Sequence, residues 1–289
     1  MRIRTVAVVL LVAVVGIGLS CYGAWRLLLP SALRPPPPQP VCVAHADGEA
    51  SFTPEQTANA ATIAAIGMRR GLPVRAVQVA LATAMQESKL RNLAGGDRDS
   101  VGLFQQRPSQ GWGAPEQLMD VRFAAGAFYA ALVKVRGWQA MEIGDAAQAV
   151  QRSAYPDAYA QWVEPAGVLA RAFAGEPDGA VACTLPGGPT PRDVAAVGGL
   201  TAGLGADWGP VTTAATAGGL EVTVRAVDQP AGWRYAYWLV AHAEEHGVEQ
   251  VRAGGLVWTA TDGRWTAEPA ATANAGAAGA VVARVRGGR

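Results

Sequence analysis

The spacing of apolar residues changes character along this chain, and the changes mark its elements. After Met1-Arg2-Ile3-Arg4, a nearly uncharged run extends from Thr5 to Trp25 and continues through Leu27, Leu28 and Leu29. A helix needs about 20 apolar residues to cross a bilayer core, and this run supplies them. A cleaved signal peptide has a shorter apolar region of about 7–15 residues. Residues 1–29 are therefore expected to remain as an N-terminal transmembrane helix. Gly18-Leu19-Ser20 before Cys21, and the apolar run beyond it, argue against a lipidated N-terminus. Arg2, Arg4 and the α-amine, set against Arg26 and Arg34, lean towards a cytoplasmic N-terminus. Residues 30–41, with Pro35-Pro36-Pro37-Pro38, read as a stiff Pro-rich linker that lifts the folded part off the membrane.

From about Cys42 to Cys183 the period becomes helical. Thr53-Pro54-Glu55-Gln56 is a capping box with Pro at the first helical position, and Gly71 ends that helix. Pro73 opens a second helix, Val74 to about Lys89, which is apolar on nearly all sides and so belongs in the middle of a domain. Gly95, Gly96 and Asp97 lead into a loop and short strand ending near Pro108, and Asp120–Val135, Ala146–Ser153 and Trp162–Phe173 read as further helices. Residues 184–210 are Gly/Pro-rich and read as a linker, Gly198 to Gly205 included. Beyond it Leu220–Val227 alternates as a strand does, Gly232–His246 is amphipathic, and Asp262-Gly263 joins Gly255–Thr261 to Arg264–Thr266 as a hairpin. The expected fold is a mainly α domain over residues 42–183 with a small β excursion after its second helix. A small α+β module over residues 211–269 and a loosely packed or disordered tail, 270–289, complete the chain.

Composition narrows the classes. Half of the 289 residues are apolar, which allows a sizeable core, and a net charge of +1 with no basic block argues against nucleic acid. With Cys21 in the membrane segment, Cys42 and Cys183 remain as a pair that brackets the first domain. A bridge there would add about 4–5 kcal/mol in the entropic account. Two unrelated buried thiols would suit a cytosolic protein, but a membrane anchor ahead of them favours an oxidised pair.

The candidate chemistry centres on Glu87. Ala76, Ala80 and Thr83 share its helix face, so its methylenes join an apolar stripe while the carboxylate emerges in the last turn. The negative end of the helix dipole and partial burial both disfavour an ionised acid there, as a general acid requires. Glu87-Ser88, then Gly102-Leu103-Phe104-Gln105-Gln106, then Pro108 and the later Ala154-Tyr155 follow one another in a recognisable order. This set resembles the lysozyme-like domain of lytic transglycosylases, closest to the transglycosylase-like domains of secreted actinobacterial proteins, over about Phe52 to Phe173. The resemblance implies Glu87 as the acid, with Gln105 and Tyr155 lining the site. Gln106, Ser88 and Trp112 complete the candidate substrate-binding set, Ser88 more as local support. Trp138 and Trp162 could also stack on sugar rings, though each is more often a core residue.

Two departures bear on mechanism. Where the family has Tyr-Asn-Ala-Gly, this chain has Tyr155-Pro156-Asp157-Ala158. Asp97, Asp99 and Asp157 are candidate second carboxylates, which most glycosidases need. A lytic transglycosylase needs one, because the sugar's own 6-hydroxyl attacks the anomeric carbon. The bland reading of the three aspartates is that they cap turns in solvent.

Other motifs fail. His242-Ala243-Glu244-Glu245-His246 lacks the Glu that a zinc helix carries directly after its first His, and both histidines are expected on the helix surface. No metal and no organic cofactor are implied. Trp233, Tyr235, Tyr237, Trp238, Trp258 and Trp265 give the C-terminal module a high aromatic load, expected as core. The expected protein is a single-pass, extracytoplasmic enzyme held to the membrane by residues 5–29. It would cleave the β-1,4 bond between N-acetylmuramic acid and N-acetylglucosamine in peptidoglycan glycan strands. The rivals are a hydrolytic lysozyme, a non-catalytic peptidoglycan-binding scaffold, and an envelope adaptor whose C-terminal module does the work.

Overall fold

The computed structural model describes residues 36–152, 156–193, 195–215, 220–268 and 279–288. The expected transmembrane helix, residues 1–29, lies outside them. Among the described residues no helix is long and apolar enough to cross a membrane.

The N-terminal half opens with β1 (Val41–His45) and β2 (Glu49–Phe52), followed by helix α1 (Pro54–Arg69). The Thr53 hydroxyl accepts from the Gln56 amide and the Gln56 side chain accepts from the Thr53 amide, so the capping box forms in full. Helix α2 (Val74–Ser88) starts after Pro73 and is buried along most of its length, from Ala76 to Met85. Helices α3 (Pro115–Leu118), α4 (Val121–Leu132), α5 (Ile143–Gln151) and α6 (Val163–Phe173) then surround α2 or support its neighbours. A 3-10 turn, Pro156–Trp162, precedes α6. Strand β3 (Val181–Thr184) pairs antiparallel with β1 and gives the sheet order β2-β1-β3.

The β structure therefore does not sit where the pattern places it. The expected excursion after α2 is a single bridge between Val101 and Gln106, and the sheet is made by the two ends of the segment instead. Cys42 and Cys183 face each other across β1 and β3 and are joined by a disulfide.

Two further expectations are corrected. Within the predicted linker, residues Ala195–Trp208 form helix α7. One of its glycines is a contact point: a Cβ on Gly203 would lie 3.2 Å from Trp238 and 3.4 Å from His246, whereas Gly198 and Gly205 have open space around them. Within the predicted loose tail, Ala280–Val285 is a strand. The C-terminal part comprises β4 (Thr213–Ala215), β5 (Glu221–Arg225), α8 (Gln229–Ala241), α9 (Ala243–His246), β6 (Val248–Ala253), β7 (Leu256–Thr259), β8 (Trp265–Ala267) and β9 (Ala280–Val285). The antiparallel sheet order is β4-β5-β9-β6-β7-β8, so β9 lies inside the sheet. The expected hairpin is present, with Trp258 opposite Trp265.

Residues 40–289 form one compact unit with a shared apolar core. Polar contacts join its halves. The Asp207 carboxylate of α7 is fully buried and accepts from Thr62 Oγ1 of α1 (2.8 Å), Trp238 Nε1 of α8 (2.7 Å) and Arg122 Nε of α4 (2.5 Å). The outer edge of β3 is met by the hairpin's indoles: Trp258 Nε1 donates to Cys183 O at 3.1 Å and Trp265 Nε1 to Val181 O at 2.8 Å. Part of the aromatic load thus closes a strand edge as well as filling a core.

The histidines are not surface residues. His242 is 4% exposed, stacks on Trp238 with ring centroids 4.0 Å apart, and donates from Nδ1 to Trp238 O at 2.9 Å. The burying contacts come from α1 and α7, elements that the helix's own sequence does not reveal. Burial pushes the pKa of both His242 and His246 below the ordinary histidine value; Asp207 and Glu245 pull the other way, and Arg192 and Arg122 reinforce the shift at His246.

Two predictions follow from these contacts. Removing the Asp207 carboxylate leaves three donors without their acceptor, so Asp207→Ala should cost about 3 kcal/mol of stability in urea unfolding. A loss below about 1 kcal/mol would mean that these donors are readily resolvated. Because the folded-state values of His242 and His246 are lowered, the unfolded chain takes up more protons below about pH 6.5. Their contribution is complete above that pH and is lost as pH falls towards the folded-state values. The melting temperature should therefore drop between pH 7 and pH 5, and less so in His242→Gln.

Candidate active site

Glu87 lies in the last turn of α2, half-buried, because the helix stops immediately after it. Lys89 takes the left-handed conformation as C-cap, and its amide and the next close back on Met85 O and Ala84 O. The Tyr159 hydroxyl, at the end of a fully buried ring in the 3-10 turn, donates to Glu87 Oε1 at 2.6 Å. This is the shortest polar contact to the acid and holds its carboxyl from the side of the α6 approach.

Ser88 joins the helix end to the glycine-led turn. Its hydroxyl is 2.7 Å from Leu103 O and 3.0 Å from Ala84 O, a hydrogen bond shared between two carbonyls. Ser88 is thus a strut and not a free ligand group. Gly102 adopts φ +78°, and a Cβ there would stand 2.4 Å from Leu118 O, so the position demands glycine. Gln105 has φ +46° and donates from Nε2 to Gly102 O at 3.1 Å. Gly96 makes room for it: a Cβ at residue 96 would lie 1.6 Å from Gln105 Oε1. The Phe104 ring stacks on Phe128, and Phe104 O accepts from Gln151 Nε2 of α5 at 2.7 Å.

The remaining candidates divide clearly. Gln106 is buried and its amide donates to Ala124 O at 3.3 Å, which places it in the packing of α4 rather than among ligand-facing groups. Trp112 is half-buried against the core, and Trp138 is buried in it. Trp162 is part-buried and donates from Nε1 to Gln86 Oε1 at 2.8 Å. The Asp97 side chain is 90% exposed beside Arg98. Asp99 has both oxygens engaged, by Arg107 Nε at 2.7 Å and by the Ser109 amide at 2.8 Å. The Ser109 amide and the Arg107 guanidinium hold its carboxyl far below the usual carboxylate range. Tyr155 and the Asp157 side chain lie outside the described residues.

The tyrosine on the acid is therefore one that the motif reading passed over. Ala158-Tyr159 repeats the dipeptide Ala154-Tyr155 four residues later, and the dipeptide alone does not single out Tyr159. Among the described residues no three His, Cys, Asp or Glu side chains converge on a metal-sized site. A cavity of about 500 Å³ on the C-terminal half, lined by Val227, Trp233, Gly254 and Gly279 among others, has Asp228 as its one acidic lining residue and no histidine or cysteine.

What the arrangement can do is bounded by its chemistry. One carboxyl, held by a phenol and set at the mouth of a buried helix, can give and take a proton. Compared with known proteins, the chain matches no family model and no curated protein matches it in sequence.

The glycine-led turn should be intolerant of side chains at its first residue. Gly102→Ala should lose about 1–3 kcal/mol in chemical unfolding, from left-handed strain together with the clash on Leu118 O. An unchanged stability would show that the turn relaxes freely.

Proposed function

We propose that this protein is a peptidoglycan-cleaving lytic transglycosylase acting on the β-1,4 bond between N-acetylmuramic acid and N-acetylglucosamine. The observation that carries the reading is the pairing of Glu87 with Tyr159 at the end of a buried helix, beneath a turn pinned by Ser88. The order of motifs in the sequence supplies the substrate class.

In this mechanism Glu87 first protonates the oxygen leaving the anomeric carbon. Because Oε1 accepts from Tyr159, the transferable proton belongs on Oε2. The carboxylate left behind keeps the Tyr159 hydrogen bond, which becomes charge-assisted at that moment. Glu87 then takes the proton of the muramic 6-hydroxyl as that oxygen closes on the anomeric carbon, giving a 1,6-anhydro end. The same group serves as acid and then as base.

The states of Asp97 and Asp99 favour this one-carboxylate course over hydrolysis. A general base that activates water needs a carboxylate with a free lone pair facing the sugar. Asp99 spends its oxygens on Arg107 and Ser109, and Asp97 points into solvent. The disulfide between Cys42 and Cys183 suits an oxidising, extracytoplasmic location, with residues 5–29 as the proposed anchor.

Digestion of purified peptidoglycan followed by mass spectrometry of the released muropeptides tests the proposal. The unmutated protein should release anhydro-muramyl ends, and Glu87→Gln should lower the rate by about 10²–10⁴-fold. Tyr159→Phe should lower it by about ten-fold, the worth of one charge-assisted hydrogen bond. Reducing ends would replace the transglycosylase with a lysozyme. Binding without any product would leave a scaffold.

A further inference from the structure

Lys89 and Lys134 are the only lysines among the 24 basic residues of the chain, and Lys89 follows Glu87 by two positions. Its Nζ lies 4.3 Å from the centroid of the Trp162 ring. Trp162 is fixed in turn by Gln86, the residue immediately before the acid, whose Oε1 accepts from Trp162 Nε1 at 2.8 Å. Gln161 Nε2 lies 3.4 Å from the same oxygen and also donates to Ala158 O at 3.0 Å. An ammonium and an indole are thus tied to the last turn and C-cap of the helix that carries the acid.

The backbone that delivers the ammonium is strained and clamped. Lys89 and Leu90 both occupy the left-handed region, at φ 57° and 59°, a conformation that side chains disfavour. Two side chains of α1 hold the pair in place. Gln56 Nε2 donates to Lys89 O at 2.8 Å, and Asn59 Nδ2 donates to Leu90 O at 2.8 Å. Strain of this kind persists where the surroundings over-determine it, and it gathers at functional positions.

The charge itself is unspent. Lys89 is exposed and forms no ion pair with any described residue. The ammonium is exposed, so its contact with the part-buried Trp162 ring gains little and an arriving anion can draw it away. An ammonium is a compact point charge on a flexible stem, suited to a single carboxylate rather than to a planar fork.

We propose that Lys89 is a specificity-determining residue that pairs with a carboxylate on the sugar beside the scissile bond. The substrate is then an anionic glycan, in which the lactyl group of the muramic residue is a free carboxylate instead of an amide to a peptide. This rests on Glu87 being the acid of a glycan-cleaving enzyme. Such a substrate is the product of amide hydrolysis, so a peptide-removing reaction precedes this one.

The test is equilibrium binding to the full chain in detergent, in a Glu87→Gln background that suppresses turnover. Three tetrasaccharide probes are compared: peptide-free glycan with lactyl carboxylates, the same glycan carrying stem peptides, and neutral N-acetylglucosamine tetramer. The peptide-free glycan should bind about five-fold tighter than the neutral tetramer, the scale of one exposed ion pair, and the margin should shrink with salt. Adding Lys89→Met should abolish the margin, and Lys89→Arg should restore part of it. Equal affinities in the parent, or an equal weakening for all three probes in Lys89→Met, would overturn the proposal. So would a Lys89-dependent preference for the peptide-bearing strand, which would move the carboxylate to the peptide. Selectivity that persists while the unmutated protein cleaves nothing would support Lys89 and count against Glu87 as an acid.

Discussion

A carboxylate buried where helices meet sets the terms for residues 40–289. Asp207 has no solvent to ionise into, so its oxygens must be satisfied by the protein, and the donors come from α1, α4 and α8. Each of those helices is thereby fixed in rotation as well as position. Leaving such a group unpartnered costs far more than an ordinary surface contact is worth. Helix α1 in turn supplies Gln56 and Asn59, the side chains that clamp the end of α2. The route from a C-terminal carboxylate to the position of Glu87 therefore passes through one rigid helix.

The acid's own surroundings are economical. The end of α2 is held from three stretches of chain: Tyr159 and Trp162 from the 3-10 turn, Leu103 O from the glycine-led turn, and Gln56 and Asn59 from α1. Preorganisation of this kind is what the proposed proton transfer would require, because its geometry must be set in advance.

Much of this was legible in the sequence wherever the signal was local. The capping box at Thr53, the all-round apolarity of α2, the alternation of Leu220–Val227 and the Asp262-Gly263 hairpin each depend on neighbours within a few residues. What was not legible depends on partners far along the chain. Strands β1 and β3 are short and made partly of alanine, and they become strands by pairing across a sequence separation of 141 residues at their cysteines. Helix α7 looked like a linker because glycine is a poor helix former, and the close approach of Trp238 accounts for the glycine at position 203. Burial of His242 follows from α1 and α7 packing over it. The contact of Tyr159 with Glu87 turns on the packing of the 3-10 turn, which the dipeptide Ala-Tyr does not encode.

The place of β9 in its sheet has a consequence for the order of assembly. It is the last strand in sequence, yet it lies between β5 and β6, which precede it and do not pair with each other. Until β9 arrives, β4-β5 and β6-β7-β8 are two separate ribbons, each with an open edge. During synthesis the sheet cannot grow strand by strand as the chain emerges; it waits for its keystone and then closes at once. Release of the last strand is therefore the event that converts two ribbons into one sheet.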